Sequence, residues 1–244
     1  QVVSEVGAMV EKLHYIFTRL KHALKPVVTA VQGRALGGGC ELVLHSPFVV
    51  AASESYIGLV ETGVGLLPAG GGLAELTDRV LRTNHKNNDK QDSITKILMQ
   101  VGFAKVSTNA YEAVKYGYLR ETDTVILNTE RRVEVALNRA RYESETNYVP
   151  TPKSQYIALG KDFKALAEGQ LDAQRMGNFI SDYDYEITLK VAEVLAGGDI
   201  PRNTYVNQRY LQTLEKERFL ELLQNKKTYD RISHMLEKGK PLRN

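Results

Sequence analysis

Three consecutive glycines, Gly37, Gly38 and Gly39, stand directly before Cys40 and Glu41. A second carboxylate, Glu61, precedes another glycine-rich stretch, from Gly63 to Gly72, interrupted by Pro68. Glycine tolerates unusual backbone angles and lets a ligand approach the main chain closely. The β-branched run Val27–Val31 lies upstream and the apolar residues Leu42–Leu44 downstream. Gly33 to Gly39 therefore reads as a turn that leads from a buried strand into a helix beginning near Cys40. The N–H groups and the positive dipole end of such a helix point into the turn and can stabilise negative charge developing on an oxygen. The same glycines would equally serve a tight turn that only lets strand and helix pack. Glu41 could act on the dipole alone, stabilising its helix by roughly 0.3–1 kcal/mol, and Glu61 could be an ordinary loop carboxylate. Spacing by itself leaves these alternatives open.

Other chemistries find less support. No G-x-x-x-x-G-K-[ST] pattern accompanies the glycines, which excludes a phosphate-cradling P-loop. No G-x-G-x-x-G follows a first strand, so the chain carries no NAD site of its own. Cys40 sits where a thiolate could be stabilised, but no histidine lies near enough in sequence to suggest a dyad, and it reads as packing. His14, His22, His45, His85 and His234 lack metal-ligand spacing, so no structural metal is predicted. The thirteen tyrosines are scattered, and Lys86 and Lys90 read as solvated. A net charge of +3 is too small to argue for a nucleic-acid partner.

The elements that must position these residues follow from the pattern of the 244-residue chain. Val6, Met9, Val10, Leu13, Phe17, Leu20 and Leu24 recur at helical spacing. The chain opens at Gln1, without Met and inside this helix, and is read as a piece of something longer. Phe48–Ala52 reads as a second strand, Tyr56–Gly58 as a short third and Val125–Leu127 as one more. Residues 82–94 are mostly polar and read as a surface excursion before the next helix. Ser107 is expected to cap a helix over Ala110 to Tyr116 that ends at Gly117. Residues 146–155, with Pro150 and Pro152, look like a linker. Beyond them the reading is almost all helix: Tyr185 to Ala196, then a helix capped by Thr204 with Tyr210, Leu211 and Leu214, then one bearing Ile232, Met235 and Leu236. A strand, helix, strand order favours an α/β fold with parallel pairing. One cysteine and no apolar run of transmembrane length predict a soluble, cytoplasmic protein.

Lys25-Pro26-Val27-Val28-Thr29-Ala30-Val31-Gln32-Gly33, followed by Ala35-Leu36-Gly37-Gly38-Gly39-Cys40-Glu41-Leu42, resembles the signature of the enoyl-CoA hydratase/isomerase (crotonase) family. Ile57-Gly58-Leu59-Val60-Glu61, Gly65 and Pro68-Ala69-Gly70-Gly71-Gly72 continue it in order and spacing. Lys105-Val106-Ser107, Glu112-Ala113 and Gly117, then Glu215, Glu217, Phe219, Thr228 and Glu237-Lys238, extend it along nearly the whole chain. The ending from Tyr229 to Asn244 and the insertion near 82–94 resemble the hydratase portion of bacterial bifunctional 3-hydroxyacyl-CoA dehydrogenases.

The resemblance implies a crotonase-like ββα spiral core whose first segment precedes residue 1, followed by a helical C-terminal region. It divides the chain into a core over 1–145 and a helical tail over 156–244 that covers the site or forms an interface. It implies a site in which Glu41, base-like, and Glu61, acid-like, hold one water beside the double bond of a 2-enoyl-CoA. Gly38 supplies an oxyanion N–H, and Ala35, Gly37, Pro68 and Lys238 contact substrate. Two nearby carboxyls disfavour double ionisation, so one pKa should rise. Isomerases of the family typically rely on the second glutamate alone, so having both favours hydration. Met235 and Gly239 stand where relatives have phenylalanine and arginine, which puts CoA binding by Lys238 in doubt. The CoA thioester is substrate, and no cofactor is implied for this chain. NAD would belong to a preceding dehydrogenase region, the expected partner, and homo-oligomerisation is left open. The segment alone is expected to be nearly inactive, since the second oxyanion N–H would come from upstream. A partner-docking role without catalysis is the reading from another class.

Overall fold

A computed structural model describes residues 2–83 and 87–244, with only the backbone given for Asn87 and Asn88. Gln1, Asn84, His85 and Lys86, and with them part of the expected 82–94 excursion, lie outside the described residues. The elements run α1 (Val2–Lys21), β1 (Val28–Leu36), α2 (Gly38–His45), β2 (Phe48–Gly58), a 3-10 turn (Glu61–Val64), α3 (Gly72–Leu81), α4 (Asn87–Gly102) and α5 (Ala110–Lys115). They continue with β3 (Thr124–Ile126), α6 (Arg132–Glu145), β4 (Gln155–Ile157), α7 (Gly160–Met176), α8 (Asp182–Ala196), β5 (Tyr205–Asn207), α9 (Gln208–Leu223) and α10 (Lys226–Lys238). Among the described residues no helix is long and apolar enough to cross a membrane.

The chain forms two compact units that interleave in sequence. One comprises 12–59 and 106–153; the other comprises 1–11, 60–105 and 154–244. Residues 60–105, from the segment expected to belong to the core, thus cluster with the helical tail.

The first unit is built on a parallel sheet in the order β1-β2-β3. Two adjacent parallel strands need a crossover, and α2 supplies it between β1 and β2. The register shifts between Val31, paired with Ala51, and Gly33, paired with Ser55. That irregularity lets β2 run unbroken from Phe48 to Gly58, so Tyr56–Gly58 is not a separate strand. The strand β1 continues through Gly33–Leu36, and the turn before α2 is Gly37 alone. Among the described residues β1 lies at the edge of the sheet and only Val31 is fully buried, where the sequence reading expects a buried strand. Val49–Ala52, Ile57, Val43, Leu44, Ala110, Ala113 and Tyr118 form this unit's core.

Two capping expectations fail for one reason: hydroxyls that looked like caps are engaged elsewhere. Ser107 is buried, accepting the Ile57 N–H at 2.9 Å while its own N–H bonds the Ile57 carbonyl, so it pins the end of β2. The cap of α5 is Asn109, whose side chain accepts the Glu112 N–H at 2.8 Å. Thr204 bonds back to the Pro201 carbonyl, and α9 is capped by Asn207 through the Tyr210 N–H.

The second unit is mainly helical. Ile94, Leu98 and Val101 of α4, Leu73 and Leu76 of α3, Ile187 and Val191 of α8 and Leu211 of α9 are buried. The segment after 86 is therefore helical from Asn87 onward rather than a loop, because Ile94, Ile97, Leu98 and Val101 give it one apolar face. An antiparallel β4-β5 pair lies within the tail that the sequence reads as almost all helix.

Candidate active site

In the first unit the predicted residues Ala35, Gly37, Gly38 and Glu41 fall together on the end of β1 and the start of α2. Gly37 has φ 55°, which glycine adopts without strain, and its N–H bonds the Gly58 carbonyl at 2.9 Å. The first intrahelical bond is from the Glu41 N–H to the Gly37 carbonyl, at 3.0 Å. The amides of Gly38 and Gly39 thus precede the helix's own hydrogen-bond ladder. Gly38 does not have a positive φ, and a side-chain carbon there would meet nothing within 4 Å. Neither conformation nor crowding within the chain demands glycine at 38, which weakens the simple packing-turn reading at that position. Glu41 is 3% exposed in the first turn of α2, and its carbonyl lies 2.8 Å from Nδ1 of the buried His45, which stacks on Phe17.

In the second unit Glu61 opens the 3-10 turn after β2. Its Oε2 is buried with no hydrogen-bond partner among the described residues. Burial pushes the carboxyl up from the ordinary range to about 7, against the pull of the Glu61 and Val60 backbone amides; the negative charge of Glu215 adds to the rise. A carboxyl so placed is divided between its acid and carboxylate forms near neutral pH, which suits proton transfer. Glu215, in α9, is fully buried, and its Oε1 accepts the Ala74 N–H in the first turn of α3 at 2.7 Å. Its position belongs to the matched tail, yet nothing in the sequence distinguished it from a solvated helical glutamate. Pro68 is buried a few residues beyond the turn, whereas Lys238 is exposed in the last turn of α10.

A family model described as enoyl-CoA hydratase/isomerase matches residues 4–85, the stretch that contains the glycine turn, Glu41 and Glu61. Over those residues the chain is similar to the enoyl-CoA hydratase/isomerase family. Similarity to known proteins extends further. The chain is 38% identical over 241 residues to the "Probable 3-hydroxyacyl-CoA dehydrogenase" of Bacillus subtilis (strain 168), covering 98% of this chain and 30% of that protein. It is 42% identical over 73 residues to the mitochondrial methylglutaconyl-CoA hydratase of Mus musculus, covering 30% of this chain and 23% of that one. The chain thus spans under a third of the length of these curated relatives. The crystal structure of enoyl-CoA hydratase from Bacillus halodurans superposes with a TM-score of 0.53 at 15% identity, covering 92% of this chain and 66% of that one. That likeness establishes the crotonase fold.

Proposed function

We propose that this chain is the hydratase portion of a larger fatty-acid β-oxidation protein and adds water to 2-trans-enoyl-CoA, giving 3-hydroxyacyl-CoA. The observation that carries the reading is Glu61: a buried, unpartnered carboxyl oxygen on a group poised near neutrality, within the stretch that the family model matches. Glu41, buried beside the glycine turn, is the second carboxylate.

In the proposed reaction the Glu41 carboxylate takes a proton from water as the water oxygen bonds to C3. The C2=C3 electron pair moves toward the thioester, whose oxygen gains enolate charge and is met by the Gly38 N–H. Protonated Glu61 then delivers its proton to C2, and the enolate pair closes the new C–H bond. The net change is H on C2 and OH on C3, with one proton moved from Glu61 to Glu41; exchange with solvent restores the starting state. CoA thioester is substrate here, and an NAD-dependent 3-hydroxyacyl-CoA dehydrogenase step would belong to other parts of the parent chain, in the cytoplasm.

In the full-length protein, Glu61→Gln should lower hydration of a 2-enoyl-CoA by about 10²–10⁴-fold. Unchanged turnover would instead fit a partner-docking segment without catalysis. An enoyl-CoA isomerase is the second reading, because the perturbed carboxyl is the one such isomerases rely on. Turnover of a 3-enoyl-CoA in preference to a 2-enoyl-CoA would select it.

A further inference from the structure

The 3-10 turn that carries Glu61 is closed internally by the bonds Gly63 N–H to Val60 O, Gly65 N–H to Thr62 O and Leu66 N–H to Glu61 O, at 3.0–3.1 Å. It is also gripped from outside. The Thr62 hydroxyl donates to the Val101 carbonyl of α4 at 2.9 Å. From α10, the Thr228 hydroxyl donates to the Gly65 carbonyl at 2.7 Å, and Arg231 Nη1 reaches the Thr62 carbonyl at 3.5 Å. Arg231 is 1% exposed. The same Nη1 bonds Asp184 Oδ1 of α8 at 2.8 Å, Nε bonds the Asn244 side chain at 2.8 Å, and the guanidinium lies 5.1 Å from the Tyr183 ring centre. Tyr183 in turn shares a 2.5 Å hydrogen bond with Thr228.

A buried ion pair is a poor source of net stability, since desolvation offsets its attraction and apolar replacements are often neutral. Fixed geometry is a function that such a pair does serve. We infer that Arg231, together with Thr228, is a positioning residue: the two clamp the Glu61 turn from the tail helix and hold the carboxyl in place. This rests on the reading of Glu61 as the proton donor. Arg231 acts on Glu61 through the Thr62 carbonyl and not by charge. The charge that acts on the Glu61 carboxyl is that of Glu215 in α9, while the Arg231 charge is paired with Asp184 of α8. Lysine could keep the bond to Asp184 but lacks the planar fork that also reaches Thr62 and Asn244.

The test is Arg231→Lys and, separately, Thr228→Val in the full-length protein, assayed with a 2-enoyl-CoA across pH. The expected result is a fall of about 10- to 100-fold, mainly in kcat. The alkaline limb of kcat/KM should also move to lower pH, because a loosened turn admits water to the Glu61 carboxyl. A lowered melting temperature with kcat and the pH limb unchanged would overturn the inference and leave a purely structural clamp. If Arg231→Lys does not fold, Thr228→Val gives the same readouts. Glu61→Gln separates the two claims. If it is inactive while both clamp variants are fully active, only the clamp fails; if it is active, the reading of Glu61 fails and the clamp with it.

Discussion

Replacing Glu61 by glutamine should make the protein more stable in alkali while disabling it. The Glu61 carboxyl is raised from 4.5 to about 7, chiefly by burial. A group whose pKa is higher in the folded state binds its proton more tightly there. Its contribution to stability is fully present below the unfolded value, near 4.5, and is lost as pH rises through about 7. Above that, the folded state must carry a buried charge that the unfolded chain holds in water. A rise of about 2.5 units at 1.36 kcal/mol each corresponds to roughly 3 kcal/mol. The amide of the Glu61→Gln variant is neutral at every pH and escapes that cost. Glu61→Gln should therefore unfold at a higher temperature than the parent near pH 8, with the gap closing as pH falls toward about 4.5. Thermal unfolding of both full-length proteins across that range measures it. A gap that is absent, reversed or independent of pH would refute the argument that burial holds this carboxyl near neutrality.

Two glycines should separate ligand space from packing. Gly38→Ala meets no atom within 4 Å and needs no left-handed backbone, so melting should not fall, while hydration of a 2-enoyl-CoA should drop at least about 10-fold if a substrate oxygen approaches that amide. Full activity would mean that the open space beside Gly38 is not used. Gly65→Ala should instead destabilise by more than about 1 kcal/mol, since φ is 85° and the added carbon would lie 2.8 Å from Thr228 Oγ1 and 2.9 Å from its Cα. An unchanged melting temperature would show that α10 yields easily at the turn.

What the sequence disclosed was chiefly local. The glycine turn and its neighbouring glutamate are contiguous, and the α1, α8 and α10 patterns carry enough periodicity to be seen without a structure. The misreadings involve polar residues whose partners are distant in sequence. Ser53-Glu54-Ser55 looks like a break between strands, yet Ser55 is fully buried and β2 runs on, because the irregularity at Gly33 absorbs the register shift. Ser107 looks like a helix cap but serves the backbone of Ile57, fifty residues earlier. Residues 87–93 look like loop because their polar composition hides a helix anchored only from Ile94 onward. Glu215 and Arg231 resemble solvated helical charges; that both are buried follows only from the packing of α9 and α10 against segments about 140–170 residues away.

A double-mutant cycle on hydration of a 2-enoyl-CoA by the full-length protein addresses the two carboxyls directly. If Glu41→Gln and Glu61→Gln disable one shared proton-transfer event, each costs about 10²–10⁴-fold and the double variant is scarcely worse than the poorer single. Losses that multiply, or a single variant with undiminished kcat/KM, would contradict a joint role for the pair.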